Sequence, residues 1–166
     1  MFFERYHGAG ERSERAGMAE TLGTLCDKLT IVRLKQFHSK DKKRLASLGV
    51  QQGQLIEEIE EFISGALSGA IPLKRLTFRS NKVYKSKGNE IRKIKGTIGH
   101  VFAKLAEANC ALWHVQEKVY EFSKVPAREK DEVAKQLAVL NLERTKCIDE
   151  IDETFVQLMK QKRSGC

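Results

Sequence analysis

The sequence predicts an all-α protein: a four-helix antiparallel bundle built from a duplicated helical hairpin, with a long basic connection between the halves. Three observations carry this. The stretch Thr97–His114, TIGHVFAKLAEANCALWH, repeats Thr21–His38, TLGTLCDKLTIVRLKQFH. Thr, Gly, Lys, Leu and the closing His coincide, and Phe37 stands where Trp113 stands. Each copy is followed by a second echo, LIEEIEE from Leu55 and CIDEIDE from Cys147. Finally, apolar residues recur at helical spacing through long stretches, and the chain's two prolines fall between them.

Residues 1–17 combine glycines with alternating charges and no apolar period, which predicts a flexible leader, with Phe2, Phe3 and Tyr6 able to dock on the bundle. One helical domain is expected over 18–160, divided into hairpin 1 (18–71), the basic connection (72–96) and hairpin 2 (97–160). The first helix is predicted over 18–38 from the stripe Leu22, Leu25, Leu29 and Val32, with Ile31, Leu34 and Phe37 adding a second apolar side. Ser39 or Asp41 can cap the second helix, predicted over 42–66 with Leu45, Leu48, Leu55, Ile59, Phe62 and Ile63 inward. Gly49 and Gly53 sit one turn apart inside it, where each costs about 1 kcal/mol relative to Ala.

Within the connection, RLTFRSNKVY is the one stretch that could pair briefly as a strand. The third helix is predicted over 97–123, with Ile98, Val101, Phe102, Leu105, Leu112, Val119 and Tyr120 inward. The fourth is predicted over 129–160, with Leu137, Leu140, Cys147, Ile148, Ile151, Phe155 and Leu158 inward. A polar tail, 161–166, closes the chain.

The formal net charge is +8, and its location is informative. Nine basic residues fall in the connection against Glu90 alone: Lys74, Arg75, Arg79, Lys82, Lys85, Lys87, Arg92, Lys93 and Lys95. The rest of the chain is close to neutral. Nine cations interspersed with Phe78 and Tyr84 suit a phosphate-rich partner, either nucleic acid or a nucleotide or sugar phosphate. A solvated linker would have the same composition. No apolar run approaches the roughly 20 residues that span a bilayer, and the N-terminus lacks the apolar centre of a signal peptide. A cytoplasmic protein without membrane contact is expected. The four cysteines, Cys26, Cys110, Cys147 and Cys166, are scattered without metal spacing and read as reduced thiols.

Polar residues that interrupt the apolar stripes mark a candidate pocket. Arg33 lies about 40° around the first helix from Leu29, and its repeat partner Asn109 holds the same phase. Gln52 and its partner Arg144 are related likewise, and Gln36 and Gln116 also point inward. A guanidinium in such a position needs an acceptor, for which Glu58, Glu60 and Glu150 are candidates, as is an anionic ligand. One reading is a hydrogen-bonded layer that fixes helix register. The other is a pocket between the hairpins formed by Arg33, Gln52, Asn109, Trp113, His114, Asn141 and Arg144, with Gly49 and Gly53 leaving space.

Other chemistries find less support. The acidic runs on the second and fourth helices supply carboxylates enough for a magnesium site. Their phase instead predicts a solvated acidic face, so no metal or other cofactor is expected. Glu-x-x-His spacing occurs only at Glu4–His7, which removes a carboxylate-bridged di-iron bundle. There is no glycine-rich phosphate loop, nucleophile elbow or Cys/His grouping for nucleophilic catalysis, and no catalytic residue is assigned.

The runs ANCALWHVQEKV and VLNLERTKCIDEID, with TLGTLCDKLTIVRLKQFH, resemble the bacterial family designated domain of unknown function 4254. The residues that carry the resemblance are Asn109, Trp113, His114, Asn141, Arg144, Asp149 and Asp152, and KVYKSKGNEIRK is similar to the family's lysine–tyrosine linker. The resemblance spans roughly 21–155. It departs at Gln116–Glu117, where an acidic pair is usual, and at Arg33, where a small amide is usual. It implies an all-helical fold and gene neighbourhoods concerned with surface polysaccharides, and no established activity.

The leading expectation is therefore a non-catalytic binding or accessory module whose basic connection engages a phosphate-rich partner, with a protein partner or homo-oligomer also open. The alternative is a small enzyme of surface-polysaccharide or nucleotide metabolism. In it Arg33 and Arg144 bind an anion between the hairpins, and His114 or Glu117 handles protons.

Overall fold

In the computed structural model, which describes residues 20–78 and 93–164, the fold is all-helical, with no strand among the described residues. Four long helices, α1 (Leu22–His38), α2 (Lys42–Ser68), α3 (Ile98–Tyr120) and α4 (Ala127–Ser164), are joined by short 3₁₀ turns at Leu73–Arg75 and Phe122–Lys124. None of these helices is long and apolar enough to cross a membrane.

Capping chemistry explains most of the ends. Thr21 and Thr24 form a reciprocal box at the start of α1, each hydroxyl accepting from the other residue's main-chain N–H. This places the start at Leu22, later than the apolar stripe alone suggests. Thr97, the repeat counterpart of Thr21, caps α3 by accepting from the His100 N–H at 3.4 Å. Of the two candidates at the α1–α2 corner, Asp41 is the cap, accepting from Arg44 N–H at 2.7 Å.

Helix α2 runs past Ala66 to Ser68 and stops at Gly69, whose φ of 83° is left-handed. Arg163 of α4 closes that end, donating to the Ala66 carbonyl at 2.8 Å and the Ile71 carbonyl at 3.3 Å. Helix α3 stops at Tyr120, before the predicted end, because the chain tightens into 3₁₀ geometry at Phe122. Helix α4 extends beyond the predicted range at both ends, starting directly after Pro126.

The larger part of the core lies towards one end. Leu22 of α1, Ala66 of α2, Val101 and Leu105 of α3, and Cys147, Ile151, Phe155, Val156 and Met159 of α4 form one buried cluster. Leu76 and Ile94, the described flanks of the connection, are buried in it too, so that segment is anchored at both sides. A second cluster, Leu25, Val32, Leu48 and Leu55, joins α1 to α2. Tyr120 and Leu158, predicted to face inward, are 79% and 46% exposed: the core stops short of Tyr120, and at Leu158 the inward face of α4 is taken by Phe155, Val156 and Met159.

Helix α3 packs most extensively on α4, and α1 packs on α2, α4 and α3. The α2–α3 contact is slight, although its repeat counterpart, α1 on α4, is substantial. The two matched glycines, Gly23 and Gly99, register the difference. A Cβ on Gly23 would lie 2.5 Å from the Ile148 carbonyl oxygen, whereas the corresponding position on Gly99 is open. The missing side chain at Gly23 leaves room for the main chain of α4 at Ile148, and Gly23 N–H donates to Asp152 Oδ1 at 2.7 Å.

Candidate functional site

Where the core ends, a polar layer replaces it. Asp27 of α1 is buried and accepts from three donors on two other helices. Arg144 Nε of α4 donates to its Oδ1 at 2.8 Å, and Arg144 Nη2 donates to its Oδ2. Asn109 Nδ2 of α3 donates to Oδ1 at 2.9 Å and to Thr30 Oγ1 at 2.7 Å. Thr30 in turn donates to the Asp27 carbonyl at 2.7 Å. One carboxylate thus satisfies an arginine fork and an amide at once, and ties α1, α3 and α4 together. The hydrogen bonds that Arg144 donates to Asp27 also raise its pKa, so the guanidinium stays charged.

Above this layer opens a cleft of about 590 Å³. Helix α1 supplies Ile31, Leu34, Lys35 and His38, followed by Ser39, and α2 supplies Arg44. Asn109, Leu112, Trp113, Gln116 and Tyr120 come from α3, and Leu137, Asn141 and Arg144 from α4. Three permanent cations line it and, among the described residues, no carboxylate does. The ring of His38 stacks on Trp113, centroids 4.7 Å apart and planes 12° from parallel. Trp113 Nε1 donates to Glu117 Oε1 at 3.0 Å, and His114 Nδ1 lies 3.4 Å from Glu117 Oε2 on the outer rim. The cleft therefore offers positive charge, amide groups, an aromatic wall and the apolar side chains of Ile31, Leu34, Leu112 and Leu137.

The structure brings Asn109, Trp113, Asn141 and Arg144 to this cleft and leaves His114 beside it, in edge contact with His38 at 6.0 Å. Arg33 and Gln52 belong elsewhere. Arg33 is exposed at the α1–α2 seam, where it donates to Gln36 Oε1 at 2.9 Å and Gln52 Oε1 at 3.2 Å. It needs no buried acceptor because its end of the stripe reaches water. The acceptor of Arg144 is Asp27, which corrects the expectation of Glu58, Glu60 or Glu150. Gly49 and Gly53 are exposed and away from the cleft lining.

The acidic runs also require correction, since Asp152 is buried rather than part of a solvated face. Burial pushes its carboxyl up to about 6, against the hydrogen bonds from Thr21 and the Gly23 N–H. Among the described residues no group of three or more His, Cys, Asp or Glu side chains could hold a metal ion. Of the basic connection, Lys74, Arg75, Lys93 and Lys95 are exposed, while Arg79, Lys82, Lys85, Lys87 and Arg92 lie outside the described residues, as does most of the proposed strand. Cys26, Cys110 and Cys147 are free thiols.

The signal that could have found Asp27 is its spacing. It shares the i, i+4, i+7 face of Ile31 and Leu34, the second apolar side of α1. Lys35 and Arg44 carry no such signal, because their approach to the cleft depends on how the α1–α2 corner folds over it. Comparison with known proteins found no matching family model, no matching curated protein and no matching solved structure.

Proposed function

We propose that this chain is a binding module for a phosphate-bearing ligand, seated in the cleft between α1, α3 and α4. The observation that supports this is the cleft's charge: Lys35 and Arg44 line it with no described carboxylate among the lining residues, and Arg144, paired with Asp27, lies between them and the core. Asp27 takes Nε and Nη2 of Arg144 and so holds the guanidinium in place, with Nη1 outside that fork. Lys35 and Arg44 are exposed and complete an anion site that a dianionic phosphate fits better than a carboxylate. The stacked His38–Trp113 wall suits the planar or apolar remainder of a nucleotide or sugar nucleotide. This reading moves the leading site from the basic connection to the cleft and keeps the class of partner. We also read the four helices as an antiparallel duplicated hairpin, on the matched Thr21 and Thr97 caps, and place the chain beside the domain-of-unknown-function 4254 family on the residues quoted above.

Trp113 is the chain's single tryptophan, so its fluorescence tests the proposal directly. Titration with pyrophosphate and with ADP should give saturable quenching, weakened at least about tenfold in Lys35→Gln plus Arg44→Gln, with the thermal transition unchanged. Absence of any saturable change at millimolar ligand would reject the cleft as a phosphate site.

A second reading makes the same cleft catalytic, and one contact favours it. Glu117 is held by Trp113 beside His114, a pair able to relay a proton at the rim. Turnover of bound nucleotide that disappears in Glu117→Gln, with binding intact, would establish that reading over the first.

A further inference from the structure

The corner between α1 and α2 carries charge that packing does not use. Lys40, Lys42 and Lys43 lie between Ser39 and Arg44, which both line the cleft, and all three lysines are exposed. The one acid among them, Asp41, has its carboxylate turned to the helix start, where it accepts from Arg44 N–H. Counting Lys35 and Arg44, five cations fall within this corner against that single occupied acid.

Two aromatic rings flank the same rim. Phe37 is 85% exposed at the end of α1, and Tyr120 is 79% exposed at the end of α3, where it lines the cleft. Neither ring is buried in the core, and Phe37 meets only the His38 ring edge-on at 5.2 Å among the aromatic contacts of the described residues. Glu117, on the α3 side of this rim, is occupied by Trp113 and His114. Glu121, beyond it, is paired with Lys124 at 2.8 Å.

A run of cations flanked by exposed rings is what an unpaired strand requires, since its phosphates seek ammonium groups and its bases seek ring faces. A duplex keeps its bases stacked on one another and would leave Phe37 and Tyr120 uncovered. An acidic polypeptide would satisfy the lysines alone. We infer that the α1–α2 corner binds single-stranded nucleic acid, with the backbone crossing Lys40, Lys42 and Lys43 and bases stacking on Phe37 and Tyr120. One phosphate of the strand occupies the cleft, so the inference rests on the reading of that cleft as a phosphate site.

The test is fluorescence anisotropy of the full chain with labelled twelve-nucleotide single strands of DNA and RNA, over a series of salt concentrations. ADP quenching of Trp113 is run in parallel. In Lys40→Gln, Lys42→Gln and Lys43→Gln combined, oligonucleotide affinity should fall at least about tenfold and the log–log salt slope should flatten by about 2. ADP quenching should stay as in the wild type. In Phe37→Ala, affinity should fall about tenfold with the slope unchanged, because stacking releases no counterions. Wild-type oligonucleotide affinity in the triple variant would overturn the inference and shift the site to the basic connection. Equal affinity for a duplex or for polyglutamate of matched charge would overturn it as well. ADP binding without oligonucleotide binding overturns this inference and leaves the cleft reading standing; loss of both rejects the two together.

Discussion

Asp27 and Arg144, on the first and last helices, form a buried fork in which Nε lies 2.8 Å from Oδ1 and Nη2 reaches Oδ2. Arg144 stays partly open to the cleft, whereas Asp27 is almost fully enclosed. Removing the carboxylate therefore strands a guanidinium and the Asn109 amide together. Asp27→Ala should destabilise the fold by about 3–5 kcal/mol in chemical denaturation, and Asn109→Ala by about 1–3 kcal/mol. A double-mutant cycle with Arg144→Met should return most of the Asp27 effect as coupling. Additive single effects would mean that the fork contributes no more than its separate parts.

Asp152 sets a pH dependence of unusual sign. Its folded-state pKa, about 6, lies above the ordinary 3.8, so the folded protein binds the proton more tightly than the unfolded chain. Its contribution to stability is fully present below about pH 4 and is lost as pH rises through 6. Relative to wild type, Asp152→Asn should gain stability between pH 5 and 7.5, on the order of 2 kcal/mol. Denaturation midpoints of both proteins across that range measure it; a constant difference would show that the buried carboxyl is not titrating there.

How far the sequence could be read is seen in these two acids. Helices followed from apolar spacing, prolines and caps, and Asn109 and Arg144 stood out because polar groups interrupted their stripes. Asp27 did not, since an acid beside Lys28 looks like surface until the Ile31–Leu34 face is known to meet α3 and α4. The repeat misled at Asp152. Its counterpart Glu60 is exposed, and nothing in the paired acidic runs distinguishes them. The difference comes from across the interface, where Gly23 admits the carboxylate and Gly99 meets nothing. Repeat symmetry likewise drew Arg33 and Gln52 into the pocket, although α2 sits on α1 alone at that level and leaves their seam in water. The matched stretches share helix phase, and tertiary contact decided burial.

The thiols should separate sharply towards alkylation. Burial pushes the Cys26 and Cys147 thiols up to about 11, with nearby carboxylates acting in the same direction. Cys110 is exposed on α3, its Sγ 3.9 Å from His114 Nε2. In a Cys166→Ser background, iodoacetamide at pH 7.5 should label Cys110 alone in native protein. Cys26 and Cys147 should follow only with added denaturant. Peptide mapping that finds rapid native labelling at Cys147 would contradict its burial between α3 and α4.

Glycine substitutions should split by sign according to what each missing side chain admits. A methyl at Gly23 would sit 2.5 Å from the Ile148 carbonyl oxygen and 3.0 Å from Asp152 Oδ1, and neither neighbour is a flexible side-chain end free to withdraw. Gly23→Ala should therefore push α1 from α4, weaken the Gly23–Asp152 hydrogen bond and cost about 1–3 kcal/mol. Gly49 and Gly53 lie inside α2 with no atom near the position a Cβ would take. Alanine at either should stabilise by up to about 1 kcal/mol through helix propensity and loss of unfolded-state freedom. Denaturation of the three single variants compares them directly. Stabilisation by Gly23→Ala would mean that α1 and α4 do not approach as closely as the Gly23–Asp152 contact requires. Destabilisation at Gly49 or Gly53 would mean that this face of α2 is covered in solution, as it would be by a second copy of the chain.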